Sequence, residues 1–262
     1  MQNRILKELE SNETLKAKEL LTIFENQDYD ELKAKLPEFK SVISKDLIDY
    51  VLPKSVWTIG GDGWAYDIGF GGLDHVVSSN EKVRILVLDT EVYSNTGGQS
   101  SKSSHLGQVC EFADNGKKTM KKDLFRIAMS YPNAYVASVS LGGNMMHTIK
   151  AFKEAEEHDG PSIIIAYSPC VEQGIKGGMI NSIKEEALAV DTGYVLLMRY
   201  FDNKLHLDSK EPNFDKYDEF LSNEVRYNSL KIKNKKEATK LLETNKENAI
   251  NRYNYYKELS LK

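Results

Sequence analysis

The sequence has little cysteine, no long apolar run and no excess of basic charge, and each shortage excludes a class of protein. Cys110 and Cys170 are its two cysteines, far apart and in no C-x-x-C pair. That excludes a disulfide scaffold and fits a reducing, cytoplasmic setting. No run approaches the roughly eighteen apolar residues that span a bilayer. The opening stretch MQNRILKELESNETLK is too charged for a secretory signal, so no membrane partner is expected. Lys and Arg number 35 against 39 Asp and Glu, a net charge of −4, and no nucleic-acid partner is expected either. Internal repeats and low-complexity tracts are absent. What remains is a 262-residue chain, 40% hydrophobic, long enough for one large domain or two modest ones.

Three parts follow one another. Residues 1–53 are charged, with Leu6, Leu9, Leu15, Leu20, Leu21 and Phe24 at helical intervals. They read as amphipathic helices broken near Pro37 and Pro53. Residues 54–200 change character. Short, β-branched apolar runs appear at Ser55–Ile59, Val83–Leu88, Ala134–Val139, Ser162–Ala166 and Val195–Arg199, with helical patterns over Asp123–Tyr131 and Met146–His158. Strands with almost no internal polar residues, alternating with helices, predict an α/β fold: a mostly parallel sheet with helices on both faces. Residues 201–262 are again charged and tyrosine-rich, ending in a helix from Lys235 to Leu261.

In an open parallel sheet, ligands sit at the carboxyl ends of the strands. Three of the apolar runs end in unusual polar chemistry: GGDGW at 60–64, DTEVYSNTGG at 89–98 and YSPC at 167–170. The first belongs to the glycine-dense stretch GGDGWAYDIGFGG, residues 60–72. A dinucleotide turn would need G-x-G-x-x-G, and the last glycine is replaced by Tyr66; a Walker A loop is missing altogether. Two readings stay open. One is a tight turn with Asp62 capping a helix. The other is a divalent-metal diphosphate site, in which glycine backbone attracts phosphate oxygens. A carboxylate there would repel those oxygens unless a cation such as Mg²⁺ stood between. Asp62 is accounted for chemically only by the second.

Gly-Asp-Gly followed some thirty residues later by Asn95 resembles the thiamine diphosphate signature. The longer strings GDGWAYDIGFGGLDHV and DTEVYSNTGGQSSK resemble the single-chain pyruvate:ferredoxin (flavodoxin) oxidoreductases. The likeness runs from about Trp57 to Met179, through PSIIIAYSPC at 161–170 and QGIKGGM at 173–179. It implies a thiamine diphosphate-binding fold with Asp62 as side-chain ligand of Mg²⁺, Thr90 adding an oxygen and Val92 a backbone carbonyl. Gly61, Gly63 and Trp64 would line the diphosphate, and Thr90, Glu91, Val92, Tyr93, Ser94 and Asn95 would wrap the cofactor. Asn95 takes the catalytic place beside the thiazolium. The implied reaction is oxidative decarboxylation of pyruvate to acetyl-CoA and CO₂, with electrons passed to iron–sulfur clusters and on to ferredoxin or flavodoxin. A homodimer is implied for the complete enzyme.

Cys170 has two readings. By itself, a cysteine ending an apolar strand is a small buried residue; the resemblance implies a ligand of a [4Fe–4S] cluster. Such a cluster needs four ligands, and residues 1–56 contain no cysteine. The resemblance also puts the carboxylate that activates the cofactor in a distant domain. The expectation is a part of a larger oxidoreductase, dependent on the remaining domains or chains and inactive on pyruvate alone. The alternative is a non-catalytic interaction module that has kept the fold. Among the remaining residues, His75 reads as packing or capping and Cys110 as structural. His105 lies in a serine-rich loop, 98–107, that could cover the cofactor. Lys117, Lys118, Lys121 and Lys122 read as a solvated face or as a docking patch for an acidic partner.

Overall fold

The computed structural model describes every residue except Pro53 and Gln173, so the helix break expected at Pro53 and the Gln173 of the third string lie outside the described residues. The chain divides into two units, Met1–Ser55 and Val56–Lys262.

The first unit is helical. Helices α1 (Gln2–Ser11), α2 (Leu15–Asn26) and α3 (Tyr29–Phe39) precede a 3₁₀ turn at Lys45–Tyr50. Side-chain caps start two of them: Thr14 accepts from the Ala17 amide, and Asp28 from those of Asp30 and Glu31. Ile5, Leu9, Leu20, Phe24, Leu32, Phe39 and Leu47 make one apolar cluster. The break expected near Pro37 comes at the end of α3. Pro37 sits inside α3, which ends two residues later at Phe39. With so little helix beyond it, the missing amide and the clash with the preceding turn are tolerated.

In the second unit, strands β1 (Val56–Gly61), β2 (Val83–Asp89), β3 (Tyr135–Val139), β4 (Ser162–Tyr167), β5 (Met198–Phe201) and β6 (Lys204–Leu207) form one sheet. The order is β1-β2-β4-β3-β5-β6, with the first four strands parallel and β5 and β6 antiparallel. Register aligns the strand ends: Gly61 pairs with Leu88 and Asp89 with Tyr167. The polar stretches after β1, β2 and β4 therefore open at one edge of the sheet.

Alternation along the strands supplies two apolar faces. Ile85, Val87, Val136, Ile163 and Ile165 pack with α4 (Phe70–Ser78), α5 (Leu124–Ala128) and the end of α10 (Lys235–Ser260) through Leu73, Phe125, Tyr253 and Tyr256. Tyr135, Ala137, Val139 and Ile164 pack with Ala151 and Ala155 of α6 (Met145–Glu157) on the other face. The edge strand β1 is less covered than expected, with Val56 and Ile59 more than half exposed.

The run expected as a strand over Val195–Arg199 is corrected in place: β5 begins at Met198. Tyr194 to Leu197 are buried loop, and Val195 donates its amide to the Ala189 carbonyl. β6 was not anticipated. It is joined to β5 by Asp202-Asn203, both with positive φ, the conformation of a tight hairpin turn. Residues 201–262 lie within the second unit. Tyr217, Phe220 and Leu221 of α8 (Tyr217–Asn223), Tyr227 and Leu230 of α9 (Val225–Lys233), and Leu241 and Leu242 of α10 form a buried cluster with Tyr194. That burial accounts for the tyrosine-rich composition of the stretch. Among the described residues, no helix is long and apolar enough to cross a membrane.

The antiparallel strands are locked by a buried guanidinium. Arg199 bonds Glu154 on α6 at 2.7 Å and Asp208 after β6 at 2.8 Å, and His147 reaches Asp208 at 3.1 Å. Burial alone would raise the Asp208 carboxyl, but its bonds from His147 and Arg199 hold it well below the usual carboxylate range. Removing one partner of a buried charge network leaves the others uncompensated, so Arg199→Met is expected to cost about 3 kcal/mol. Urea unfolding followed by circular dichroism measures this; an unchanged midpoint would contradict it.

Candidate functional site

Asp62 follows directly on β1 and is 1% exposed. It is not a helix cap, because its side chain accepts no capping bond from the turn that follows. Instead one carboxylate oxygen accepts from the Thr90 hydroxyl at 2.8 Å, and the other from the Ser101 hydroxyl. The Thr90 hydroxyl also lies 3.1 Å from the Val92 carbonyl oxygen and 2.9 Å from Ser94 Oγ. A carboxylate, a hydroxyl and a main-chain carbonyl thus converge from the ends of two neighbouring strands. This all-oxygen set suits a hard cation such as Mg²⁺, which takes one or two protein oxygens together with phosphate.

After Asp62 the chain makes a π-helical turn, Gly63–Ile68, closed by the Gly69 amide on the Trp64 carbonyl at 2.8 Å. The glycines serve partly a different purpose from the one expected. A Cβ at Gly60 or Gly69 would run into the Trp64 indole, and one at Gly63 into the Tyr93 ring. These three clear room for the protein's own aromatics, and Tyr93 also bonds the Gly63 carbonyl at 3.2 Å. Gly61 faces open space.

The loop from Thr90 to Lys122 carries no helix or extended strand, yet much of it is buried. Tyr93 and Gln99 pair across a turn whose exposed tip holds Asn95. The Glu91 side chain is turned into the protein. At 1% exposure, its carboxylate accepts from Tyr194 at 2.6 Å, Arg226 at 2.7 Å and Lys121 at 2.9 Å, and lies 3.0 Å from His105. Burial alone would raise this carboxyl, but Lys121, His105 and Arg226 hold it well below its ordinary value. Burial pushes His105 down to about 3, against the pull of Glu91. His105 is therefore a neutral imidazole stacked on Tyr194, with ring centroids 4.4 Å apart.

The lysine cluster is only partly a solvated face: Lys118 is exposed, but Lys117, Lys121 and Lys122 are not. Lys121 bridges Asp89 at 2.6 Å and Glu91 at 2.9 Å, and Lys117 is buried against the Ser101 carbonyl. Lys122 lies over the Phe70 ring at 2.9 Å, and Lys118 pairs with Glu237. Sequence reasoning missed Asp89, Ser101 and Ser103. Asp89 accepts from Tyr66 at 2.9 Å and from Ser103. Its place at the end of β2 was the available signal. Cys170 lies just past β4, partly exposed, and forms no disulfide with Cys110. Among the described residues no group of three or more His, Cys, Asp or Glu side chains could hold a metal ion, so the chain does not itself complete a cluster site around Cys170. His75 is exposed on α4.

The fold and this oxygen set define an α/β domain with oxygen ligands gathered at the carboxyl edge of its parallel strands. Residues 48–166 match the family described as "Thiamine pyrophosphate enzyme, C-terminal TPP binding domain". The chain is 48% identical to the pyruvate:ferredoxin oxidoreductase of Moorella thermoacetica over 88% of this chain and 21% of that protein. It is also 48% identical to the pyruvate-flavodoxin oxidoreductase of Klebsiella pneumoniae over 81% of this chain and 19% of that one. The chain thus spans about a fifth of the length of these relatives. A solved structure of 2-oxoglutarate:ferredoxin oxidoreductase from Magnetococcus marinus aligns over 44% of this chain and 40% of its own, at 25% identity and a TM-score of 0.41.

Burial, and next the nearby Asp89, push the Asp62 carboxyl up to about 7 against the bonds from Ser101 and Thr90. The folded, ligand-free chain therefore holds this proton more tightly than the unfolded chain, whose carboxyl titrates near 4. The resulting stability is present below about pH 4 and is lost as pH rises through about 7. Asp62→Asn, which keeps the shape without the charge, is expected to gain stability over the wild type between about pH 5 and about pH 8. Thermal unfolding across that range checks this; a constant offset would contradict it.

Proposed function

We propose that Asp62, Thr90 and the Val92 carbonyl hold a Mg²⁺ ion carrying the diphosphate of thiamine diphosphate. On this reading the chain is the cofactor-binding part of a pyruvate:ferredoxin or pyruvate-flavodoxin oxidoreductase. The single observation that carries it is the convergence of a buried carboxylate, a hydroxyl and a main-chain carbonyl at the ends of two neighbouring strands. Bound thiamine diphosphate would supply a carbon nucleophile and an electron sink. The chain's own residues bind and orient it. Asp62 offers negative charge to the cation, Gly61 leaves the backbone open to the diphosphate, and Trp64 with Tyr93 stiffens the turn between them. Glu91, Tyr93 and Ser94 belong to the wrapping loop, Glu91 through its backbone. Asn95, on the exposed tip, would approach the reacting ring.

The overall reaction we assign to the complete enzyme is oxidation of pyruvate with coenzyme A to acetyl-CoA and CO₂. The names of the relatives, at 48% identity, support the substrate and the ferredoxin or flavodoxin acceptor. Cys170 would ligate a [4Fe–4S] cluster together with cysteines from the remaining domains or chains, because four ligands are needed and the chain has two cysteines. We place this enzyme in the cytoplasm as a homodimer, the first on the strength of the two cysteines outside any mutual disulfide.

Titration calorimetry tests the binding reading. Thiamine diphosphate with Mg²⁺ is expected to bind the wild-type chain, and chelation of Mg²⁺ to abolish binding. Asp62→Ala and Thr90→Ala are each expected to weaken binding by at least about tenfold. Absence of binding by the folded wild-type chain would overturn the proposal. With pyruvate added, the chain alone is expected to release no CO₂.

A further inference from the structure

Thr90 and Val92, two members of the oxygen set, flank a residue in an unusual conformation. Glu91 has φ +60°, in the left-handed region that non-glycine residues rarely occupy. A backbone held there persists only when its surroundings over-determine it, and here they do. The Glu91 carbonyl accepts from Ser104 at 2.5 Å and Gln108 at 3.0 Å. Its carboxylate is gripped by Tyr194, Arg226 and Lys121, with His105 alongside.

Arg226 is the most distant of these partners in sequence. Its side chain on α9 is 1% exposed, and it bonds Glu91 at 2.7 Å and Gln108 at 3.2 Å. Its main-chain carbonyl takes the Val109 amide at 3.0 Å. One residue therefore clamps both the side chain of Glu91 and the loop that holds its carbonyl. Reaching across 135 positions, it ties the tyrosine-rich C-terminal stretch to the end of β2.

From this geometry we infer that Arg226, acting through Glu91, is a positioning residue for the cation set. By keeping Glu91 left-handed, the pair fixes the Thr90 hydroxyl, which bonds Asp62, 3.1 Å from the Val92 carbonyl oxygen. Without the guanidinium, Glu91 relaxes toward an ordinary φ, and the two loop oxygens move apart. The inference rests on the Mg²⁺–diphosphate reading of the site, but its structural half stands in the ligand-free chain.

Two measurements on the full chain test it, comparing wild type, Arg226→Met, Arg226→Lys and Arg199→Met. The last removes a buried guanidinium remote from the loop, and so reports general loss of stability. In calorimetry with thiamine diphosphate and Mg²⁺, at a temperature where circular dichroism shows every variant folded, Arg226→Met is expected to bind about tenfold more weakly, as for loss of a group that orients metal ligands. Arg226→Lys, which keeps the charge, is expected to recover most of that loss, and Arg199→Met to bind as wild type. Wild-type affinity in Arg226→Met, or an equal loss in Arg199→Met, overturns the inference.

The second measurement is amide hydrogen exchange without ligand. The Tyr93 and Gly98 amides bond across the loop turn at 2.9 and 2.8 Å. Both are expected to exchange faster in Arg226→Met than in Arg199→Met. Equal protection overturns the inference whether or not the cofactor binds. Loss of binding in the wild type with the exchange difference intact would instead count against the cation reading alone.

Discussion

Everything at the carboxyl edge of this sheet depends on keeping three acidic side chains out of water: Asp62, Asp89 and Glu91, each 3% exposed or less. Buried carboxylates are costly unless paired and hydrogen-bonded. The chain neutralises two of them. Lys121 sits between Asp89 and Glu91, and Arg226 adds a second charge on Glu91. Among the described residues, Asp62 receives hydroxyl bonds but no cation at contact distance. Burial pushes its carboxyl upward, to about 7.

That contrast organises the architecture. The loop from Thr90 to Lys122 is long and irregular, yet it is held by side chains at every turn. Its serines bond the acids, its lysines return to the strand end, and Tyr194 and Arg226 seal it from the C-terminal side. The C-terminal helices are thus part of the site's support. The glycines following β1 show the same economy of space: three of them admit Trp64 and Tyr93, whose rings set the turn carrying Asp62, and Gly61 is left open.

Much of the parallel half of the fold was legible from residues, because strands buried on both faces are continuous apolar runs such as Ser-Ile-Ile-Ile-Ala. The Gly-Asp-Gly and Asn95 spacing likewise pointed to the carboxyl edge, where Asp62, Thr90 and Val92 do meet. The antiparallel hairpin escaped, since its strands are four residues each and its turn signal, Asp202-Asn203, is short. Pairing across long separations escaped altogether. Nothing local to Glu91 announces that it is held from positions 105, 121, 194 and 226, so it read as a ligand-facing residue. Lys121 read as solvated for the same reason: four nearby lysines look like a surface until the acids they face are known.

The central claim is that Asp62 is kept buried at the end of β1 for a divalent cation that arrives with a diphosphate. Mn²⁺ in place of Mg²⁺ makes that cation visible by electron paramagnetic resonance. The account predicts a protein-bound Mn²⁺ signal in the wild-type chain when thiamine diphosphate is present, and its loss in Asp62→Asn while the fold is retained. An undiminished bound signal in Asp62→Asn would contradict it.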